Sequence, residues 1–283
     1  MSSSYKMPGT LLVGCVVLTL NTAAHGSLVF YTGFNEGTGS PGGTYLGSNV
    51  TGTMANGASY NSQTNPFTNG GHSMYFPAPN STPGGVDFIT PSLNDVDFSS
   101  GTVAVWINME AFASASGGNR IFTTRTSGQS DAFDFYIYGL NHGSRAGYIE
   151  FHAGSGAPTG TQYNTGKAVF DNDMLNQWYF LAVTWDSNAD RMDFYLGDST
   201  GDLNLIHTID ADVNVNPQAH GPSIRVGAGQ FSNNIYRGLI DEFYLYNHAL
   251  TMSELRALMT VPEPASATVL CLGGLLLMRR RRA

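Results

Sequence analysis

Gly238-Leu239-Ile240-Asp241-Glu242-Phe243-Tyr244-Leu245-Tyr246-Asn247-His248-Ala249-Leu250 is the stretch on which the fold turns. Its first nine residues are aromatic and branched with polar groups between them, the pattern of a strand over Gly238–Tyr246. Thr251-Met252-Ser253-Glu254 follows as a capping box. The Thr251 hydroxyl can accept from the Glu254 N–H while the Glu254 carboxylate reaches back. Leu255, Leu258 and Met259 then supply the apolar face of a helix of one or two turns.

Upstream, the same strand signals recur in Ser27–Phe34, His72–Phe76, Val86–Thr90, Thr102–Met109, Ile121–Arg125 and Phe133–Tyr138. They continue in Tyr148–His152, Trp178–Trp185, Arg191–Leu196, Leu203–Ile209 and Ser223–Val226. About a dozen strands with turn residues between them read as an all-β, two-sheet antiparallel sandwich with one short C-terminal helix. The 34 glycines and 12 % aromatic residues suit short strands and tight turns. Asn35–Gly71, rich in Gly, Asn, Thr and Ser, reads as a long loop. No internal repeat or linker divides the chain, so residues 27–260 form one domain.

Charge and cysteine bound the function. Between the two ends lie eight basic residues against twenty acids, a formal net charge of −12. No basic stripe exists to neutralise phosphates, so nucleic acid is excluded as a partner. Such acidity fits either a Ca²⁺-binding extracellular module or a surface kept soluble by charge. Both cysteines, Cys15 and Cys271, fall outside residues 27–260, which excludes a disulfide, a thiol nucleophile or a cysteine metal site from the domain.

The ends carry an address. Lys6 precedes a ten-residue apolar run, Leu11 to Leu20, too short to span a bilayer, and Ala24-His25-Gly26 offers small side chains for cleavage before Ser27. Residues 1–26 thus read as a signal peptide, with cleavage after Ala24 as the alternative. At the other end, Pro262-Glu263-Pro264 breaks regular structure. Ala265 to Met278 follows without a charge, and Arg279, Arg280, Arg281 and Arg282 close the chain. A helix of that length is about 21 Å long, short of a ~30 Å hydrocarbon core, and the arginines would stay cytoplasmic.

Two resemblances follow from these residues. Pro262-Glu263-Pro264, the apolar helix over 265–278 and the Arg cluster over 279–282 resemble the PEP-CTERM sorting signal of Gram-negative bacteria. That resemblance implies a sorting tail over 261–283 and transient partners in the secretion machinery and an exosortase. It also implies an inner-membrane precursor and a final location at the cell surface or in the extracellular matrix. Within the domain, Asn35-Glu36-Gly37-Thr38-Gly39, Gly71–Phe76, Thr102–Ile107, Gln177–Trp185 and above all Gly238–Leu258 resemble LamG-like (laminin G/concanavalin A-like) jelly rolls. Tyr195-Leu196-Gly197-Asp198 departs from the usual Tyr-x-Asp-Gly turn of that family. The resemblance implies a jelly-roll sandwich and a structural Ca²⁺ held by Asp241 with Asn35 and Glu36. The simpler alternative pairs Asp241 with Arg237 or with loop amides.

Catalytic signatures are missing. Retaining glycosidases need two carboxyls about 5 Å apart. Glu150 is followed by Phe151 and His152 with no second acid beside it, Asp131 and Asp134 would face opposite sides of a strand, and Glu110 stands alone. No nucleophile elbow, His-Glu-x-x-His motif or phosphate loop occurs. Asp186-x-Asn188-x-Asp190 lacks the glycine and the distal glutamate of an EF-hand and reads as a hairpin turn. The histidines show no zinc spacing. The strand pattern puts Trp106, Trp178 and Trp185 in the core, with Trp185, beside the acidic turn, the one also open to ligand stacking. Tyr136, Tyr138 and Tyr148, with His142, His152 and Arg145, gather around one inter-strand loop where a sugar could stack. The expectation is a non-catalytic surface or matrix module that binds a polysaccharide or matrix component. A glycoside hydrolase or lyase with a non-standard site, or a purely structural matrix protein, are the alternatives.

Overall fold

The strand read from Gly238–Tyr246 lies inside the larger of two sheets, and its pairings organise the rest. The fold is that of a computed structural model describing residues 27–55, 57–68, 71–77, 85–90, 93–112, 118–124, 132–153, 161–215, 223–229 and 236–260. The strands are β1 (Leu28–Thr32), β2 (Gly42–Tyr45), β3 (Ser48–Ala55), β4 (Ser59–Asn61), β5 (Ser73–Phe76), β6 (Gly85–Ile89), β7 (Ser100–Met109) and β8 (Gly118–Thr123). They continue as β9 (Asp134–Tyr138), β10 (Ile149–His152), β11 (Gln162–Asn164), β12 (Trp178–Asp186), β13 (Arg191–Asp198), β14 (Leu203–Ile209), β15 (Ser223–Val226) and β16 (Gly238–Tyr246). Helix α1 (Met252–Thr260) closes the domain. Every strand pairing is antiparallel.

The first sheet runs β2-β1-β16-β7-β12-β13-β14, and the second runs β3-β6-β15-β8-β9-β10-β11. Strand β3 pairs with β2 through its first residues and with β6 through its last, so the chain rolls from one sheet into the other along β3. The expected loop over Asn35–Gly71 is corrected by this finding: it contains β2, β3 and β4. Its Gly, Ser and Thr content hid the strands because their stability comes from ladder hydrogen bonds to partners distant in sequence, not from their own side chains.

A bulge in β16 sets the two faces. Ile240 points into the core between the sheets, and Asp241 points outward opposite Trp106. Period-two alternation would then turn Phe243 and Leu245 outward. Instead the register shifts between Asp241 and Tyr244, Glu242 takes φ 50°, and Phe243 and Leu245 return to the core. One extra residue restores burial of both halves of the strand.

The inter-sheet core joins Val103, Val105 and Ile107 of β7 with Leu181, Val183 and Trp185 of β12 and Phe135, Ile137 and Phe151 of the second sheet. A smaller apolar cluster covers the other face of the first sheet: Ala104, Trp106, Phe180 and Ala182 pack against Leu250, Leu255 and Met259. Helix α1 is therefore a lid on that sheet, and β7 is buried on both faces. The expected cap forms: the Glu254 N–H donates to Thr251 Oγ1 at 3.3 Å, and Thr251 N–H donates to Glu254 Oε2 at 2.8 Å. The Asp186–Asp190 turn joins β12 to β13 as a hairpin, with Asp186 Oδ1 accepting from Asn188 N–H at 2.9 Å. Among the described residues no helix is long and apolar enough to cross a membrane. Residues 1–26 and 261–283, including Pro262, Glu263, Pro264 and Arg279 to Arg282, lie outside the described residues.

Candidate functional site

Three neighbouring strands of the second sheet bring polar side chains to one outward face. In β9, Phe135 and Ile137 face the core, so Asp134, Tyr136 and Tyr138 face away. In β10, Ile149 and Phe151 face the core, which sends Glu150 and His152 to the same side. Cross-strand register aligns Arg120, Tyr136, Glu150 and Asn164 in one row, and Asp134, His152 and Gln162 in the next. Directly opposed residues lie about 5 Å apart, close enough for side chains to meet.

Glu150 is the centre of this face, and its side chain is fully buried. Its Oε1 accepts from the Tyr136 hydroxyl, from the Tyr138 hydroxyl at 3.0 Å and from His152 Nε2 at 2.6 Å. Its Oε2 accepts from Arg145 Nη1 at 2.9 Å. The carboxylate fixes the proton of His152 on Nε2, since two acceptors cannot share that contact. Arg145 Nη1 also reaches Gln162 Oε1 at 2.8 Å and the Tyr138 hydroxyl at 3.2 Å. Beside this cluster Arg120 makes a two-pronged pair with Asp134, at 3.0 and 2.6 Å, and lies 4.2 Å over the Tyr136 ring.

The electrostatics follow from these contacts. Burial acts to raise the Glu150 pKa, but hydrogen bonds from His152 and Tyr136 and the charge of Arg145 outweigh it and hold the carboxyl below its ordinary value. Burial, reinforced by the Glu150 charge, pushes Tyr136 far above the ordinary phenol range. Burial also raises Tyr138. The tyrosines are therefore neutral donors at physiological pH, and Glu150 is an ionised acceptor.

The expected ligand residues divide. Tyr136 and Tyr138 do join, through their hydroxyls, on Glu150. Tyr148 enters through its backbone, its carbonyl accepting from Tyr138 N–H at 2.9 Å. Trp185 lies elsewhere: it is fully buried between the sheets, 5.0 Å from Phe151 and 5.4 Å from Phe133, and its indole N–H donates to the Phe98 carbonyl at 2.8 Å. A sugar has no access to that ring. Its space is made by Gly101 across the ladder, where an added Cβ would stand 2.2 Å from the indole. The residue that sequence reasoning passed over is Glu150. Glu150-Phe151-His152 is a strand triplet whose outer members share a face, and that spacing was the available signal.

The expected calcium residues also separate. Asp241 Oδ2 accepts from the backbone N–H of Asn65 at 3.1 Å and from its side chain at 2.9 Å, anchoring the turn that carries Phe67 onto Trp106. This matches the loop-amide alternative. Glu36 accepts from Gly42 N–H at 2.8 Å and the Tyr60 hydroxyl at 3.0 Å. Asn35 Oδ1 accepts from His72 N–H at 3.0 Å, which orients Asn35 Nδ2 towards Glu242. Glu242 thus meets an amide and the Tyr31 and Tyr244 hydroxyls, which are hydrogen-bond donors, and burial raises its pKa. Calcium requires several oxygen acceptors around one point. Asp241, Asn35 and Glu36 each accept from donors of the chain itself, and among the described residues no group of three or more His, Cys, Asp or Glu side chains is placed to hold a metal ion.

Comparisons with known proteins accord with this geometry. Residues 81–256 match the family Laminin_G_3, described as the concanavalin A-like lectin/glucanases superfamily. Among solved structures, the botulinum neurotoxin serotype D/C VPI 5993 binding domain is similar at 16 % identity and TM-score 0.60, over 82 % of this chain and 51 % of that one. The binding domain of botulinum neurotoxin DC in complex with rat synaptotagmin II gives 16 % and 0.59, with the same coverage. The same binding domain in complex with SialylT gives 15 % and 0.56. The chain spans about half the length of these structures, and at such identities the likeness is one of fold. No curated protein matches the chain.

Proposed function

Since this chain belongs to the concanavalin A-like lectin/glucanases superfamily, we propose that it is an exported surface or matrix module that binds carbohydrate, without catalysis, on the outer face of β9–β11. The carrying observation is the Arg145–Glu150–His152–Gln162 cluster. Among the described residues Arg145 donates only through Nη1, and its side chain is 35 % exposed. Its remaining guanidinium donors and the Nδ1 edge of His152 are left to a ligand. Gln162 and the Tyr138–His142 ring pair, 4.0 Å apart, supply a polar and a flat contact beside them. Sugars are held by such a mixture of planar surfaces and fixed polar groups.

Non-catalysis rests on how the carboxylates are used. Glu150 already holds four donors, and Asp134 is paired with Arg120. Glu150, held below its ordinary value, is not the raised-pKa acid beside a free carboxylate that sugar hydrolysis needs. The fold likeness to binding domains points the same way.

The test is glycan retention. The full chain is expected to be held on at least one polysaccharide with no release of reducing sugar. Arg145→Ala and Gln162→Ala are each expected to weaken retention about tenfold, the loss of one hydrogen-bonding contact. Sugar release would overturn the non-catalytic reading, and no retention on any glycan would overturn the binding reading.

The ends support export by the PEP-CTERM route. Pro262-Glu263-Pro264, the apolar 265–278 segment and Arg279 to Arg282 stand in the order such sorting requires. Protein collected from the surface of a producing cell is expected to have a mass that starts at Ser27 and lacks 265–283. Intact ends on the surface-exposed protein would refute the processing.

A further inference from the structure

Charge is unevenly spread over this acidic domain. From Gly37 to Val86 the sequence holds no Asp, Glu, Lys or Arg, and β2, β3, β4 and β5 all fall within that span. The rest of residues 27–260 carries the whole net charge of −12. Two copies of such a domain repel wherever acidic surface meets acidic surface, and the β2–β5 segment is where they can approach without it.

At the tip of the β2–β3 hairpin the sequence breaks a local rule. Tyr45 and Ser48 pair across a two-residue turn in which Leu46 takes φ 46° and Gly47 φ 80°. Left-handed backbone at both central positions suits Asn-Gly or Asp-Gly and strains a leucine. Burial does not compensate: Leu46 is 51 % exposed, the most exposed large apolar side chain among the described residues. Its N–H donates to the Val29 carbonyl at 2.9 Å, so the side chain is held out on a fixed turn. A leucine that is both strained and solvent-facing in the single domain marks a contact surface.

The body of the same hairpin carries a recess. Gly42 and Thr44 lie on one face of β2, and Leu46 follows at the same two-residue step. Across the ladder Thr51 stands opposite Gly42 and Asn49 opposite Thr44, and on the other side Tyr31 pairs with Thr44. These residues line a groove of about 390 Å³. Glu36, its single charged lining residue among the described ones, is turned onto the Gly42 N–H and the Tyr60 hydroxyl. A two-fold axis through the Thr44–Asn49 rung carries Leu46, two residues to one side, onto Gly42 and Thr51, two residues to the other. A patch that holds both a knob and its own recess closes as a pair and does not grow into a fibre.

We propose that the outer face of the β2–β3 hairpin is where the domain pairs with a second copy of itself, each copy's Leu46 entering the other's groove beside Tyr31. The uncharged patch with an aromatic ring at its centre has the composition of an interface core. The Glu150 face stays free, because β9–β11 stand at the far end of the second sheet from β3. The pairing is independent of what that face binds.

Sedimentation velocity tests the pairing on the full chain, reduced and in a mild non-ionic detergent that shields its apolar ends. The parent should sediment as a dimer that dissociates on dilution. Leu46→Asn should raise the dissociation constant tenfold or more. At dilutions where the parent too is monomeric, this variant should melt no lower than the parent, because asparagine tolerates the left-handed turn. Thr44→Glu sets two like charges against each other across the axis and should abolish the pairing, and an equal mixture with Thr44→Lys chains should restore it. A parent that is monomeric at every concentration overturns the proposal. So does a dimer that Leu46→Asn and Thr44→Glu leave intact, which would put the contact at the ends of the chain or elsewhere on the domain. A Leu46→Asn monomer that melts below the parent monomer would make the leucine a structural residue of the turn and overturn the reading as well.

Discussion

Glu150→Ala is expected to lower folding stability by about 3–5 kcal/mol, the cost of removing one partner from a buried charged network. The side chain is fully buried, and its loss strands the Tyr136 and Tyr138 hydroxyls, His152 Nε2 and one arm of Arg145 together. Denaturant unfolding would measure it, with the slope unchanged if only stability has moved. The pH dependence follows from the direction of the Glu150 shift. A carboxyl held below its ordinary value contributes stability that is fully present above the unfolded pKa and is lost as pH falls through the folded one. The gap between the parent and Glu150→Gln should therefore be widest near neutrality and narrow in acid. A gap of constant size from pH 7 to the acid limit would show that Glu150 is not the ionised centre of the cluster.

Trp185→Ala is expected to cost a comparable 3–5 kcal/mol or so, as large aromatic truncations in packed cores do. The indole touches both sheets, and among the described residues its N–H donates to the Phe98 carbonyl. Trp185→Phe should recover more than half of that loss, because the ring survives and one hydrogen bond does not. Glycan retention by the folded Trp185→Phe variant should equal that of the parent. A variant that kept its stability but lost glycan retention would return Trp185 to the ligand face. This outcome matters because Asp186, the next residue in the chain, begins an exposed acidic turn, and in the linear sequence the tryptophan looks like part of it.

The strongly patterned segments were legible without coordinates. Leu203–Ile209, Ser223–Val226 and Gly238–Tyr246 begin and end where the alternation puts them. The capping box forms at Thr251, and the Asp186–Asp190 cluster makes the expected hairpin turn. In each case the signal and its cause are local. Gly42–Tyr45 and Ser48–Ala55 were illegible for the opposite reason: they are strands because β1 and β6 offer them ladders. Acidic residues behaved the same way. Glu150 looked solitary in sequence, yet its neighbours arrive from β9, from the loop after it and from β11. Asp241 drew attention as a possible metal ligand, whereas the bulge gives it to Asn65.

By itself, then, the sequence determined the class of the domain, its closing strand and helix, its acidity and its freedom from cysteine, since periodicity, capping and charge are properties of neighbours along the chain. The tertiary structure alone decided which side of each sheet a side chain faces and which carboxylate meets which donor. A single bulge reverses the parity of β16, and antiparallel register places residues distant in the chain within hydrogen-bonding reach of one another.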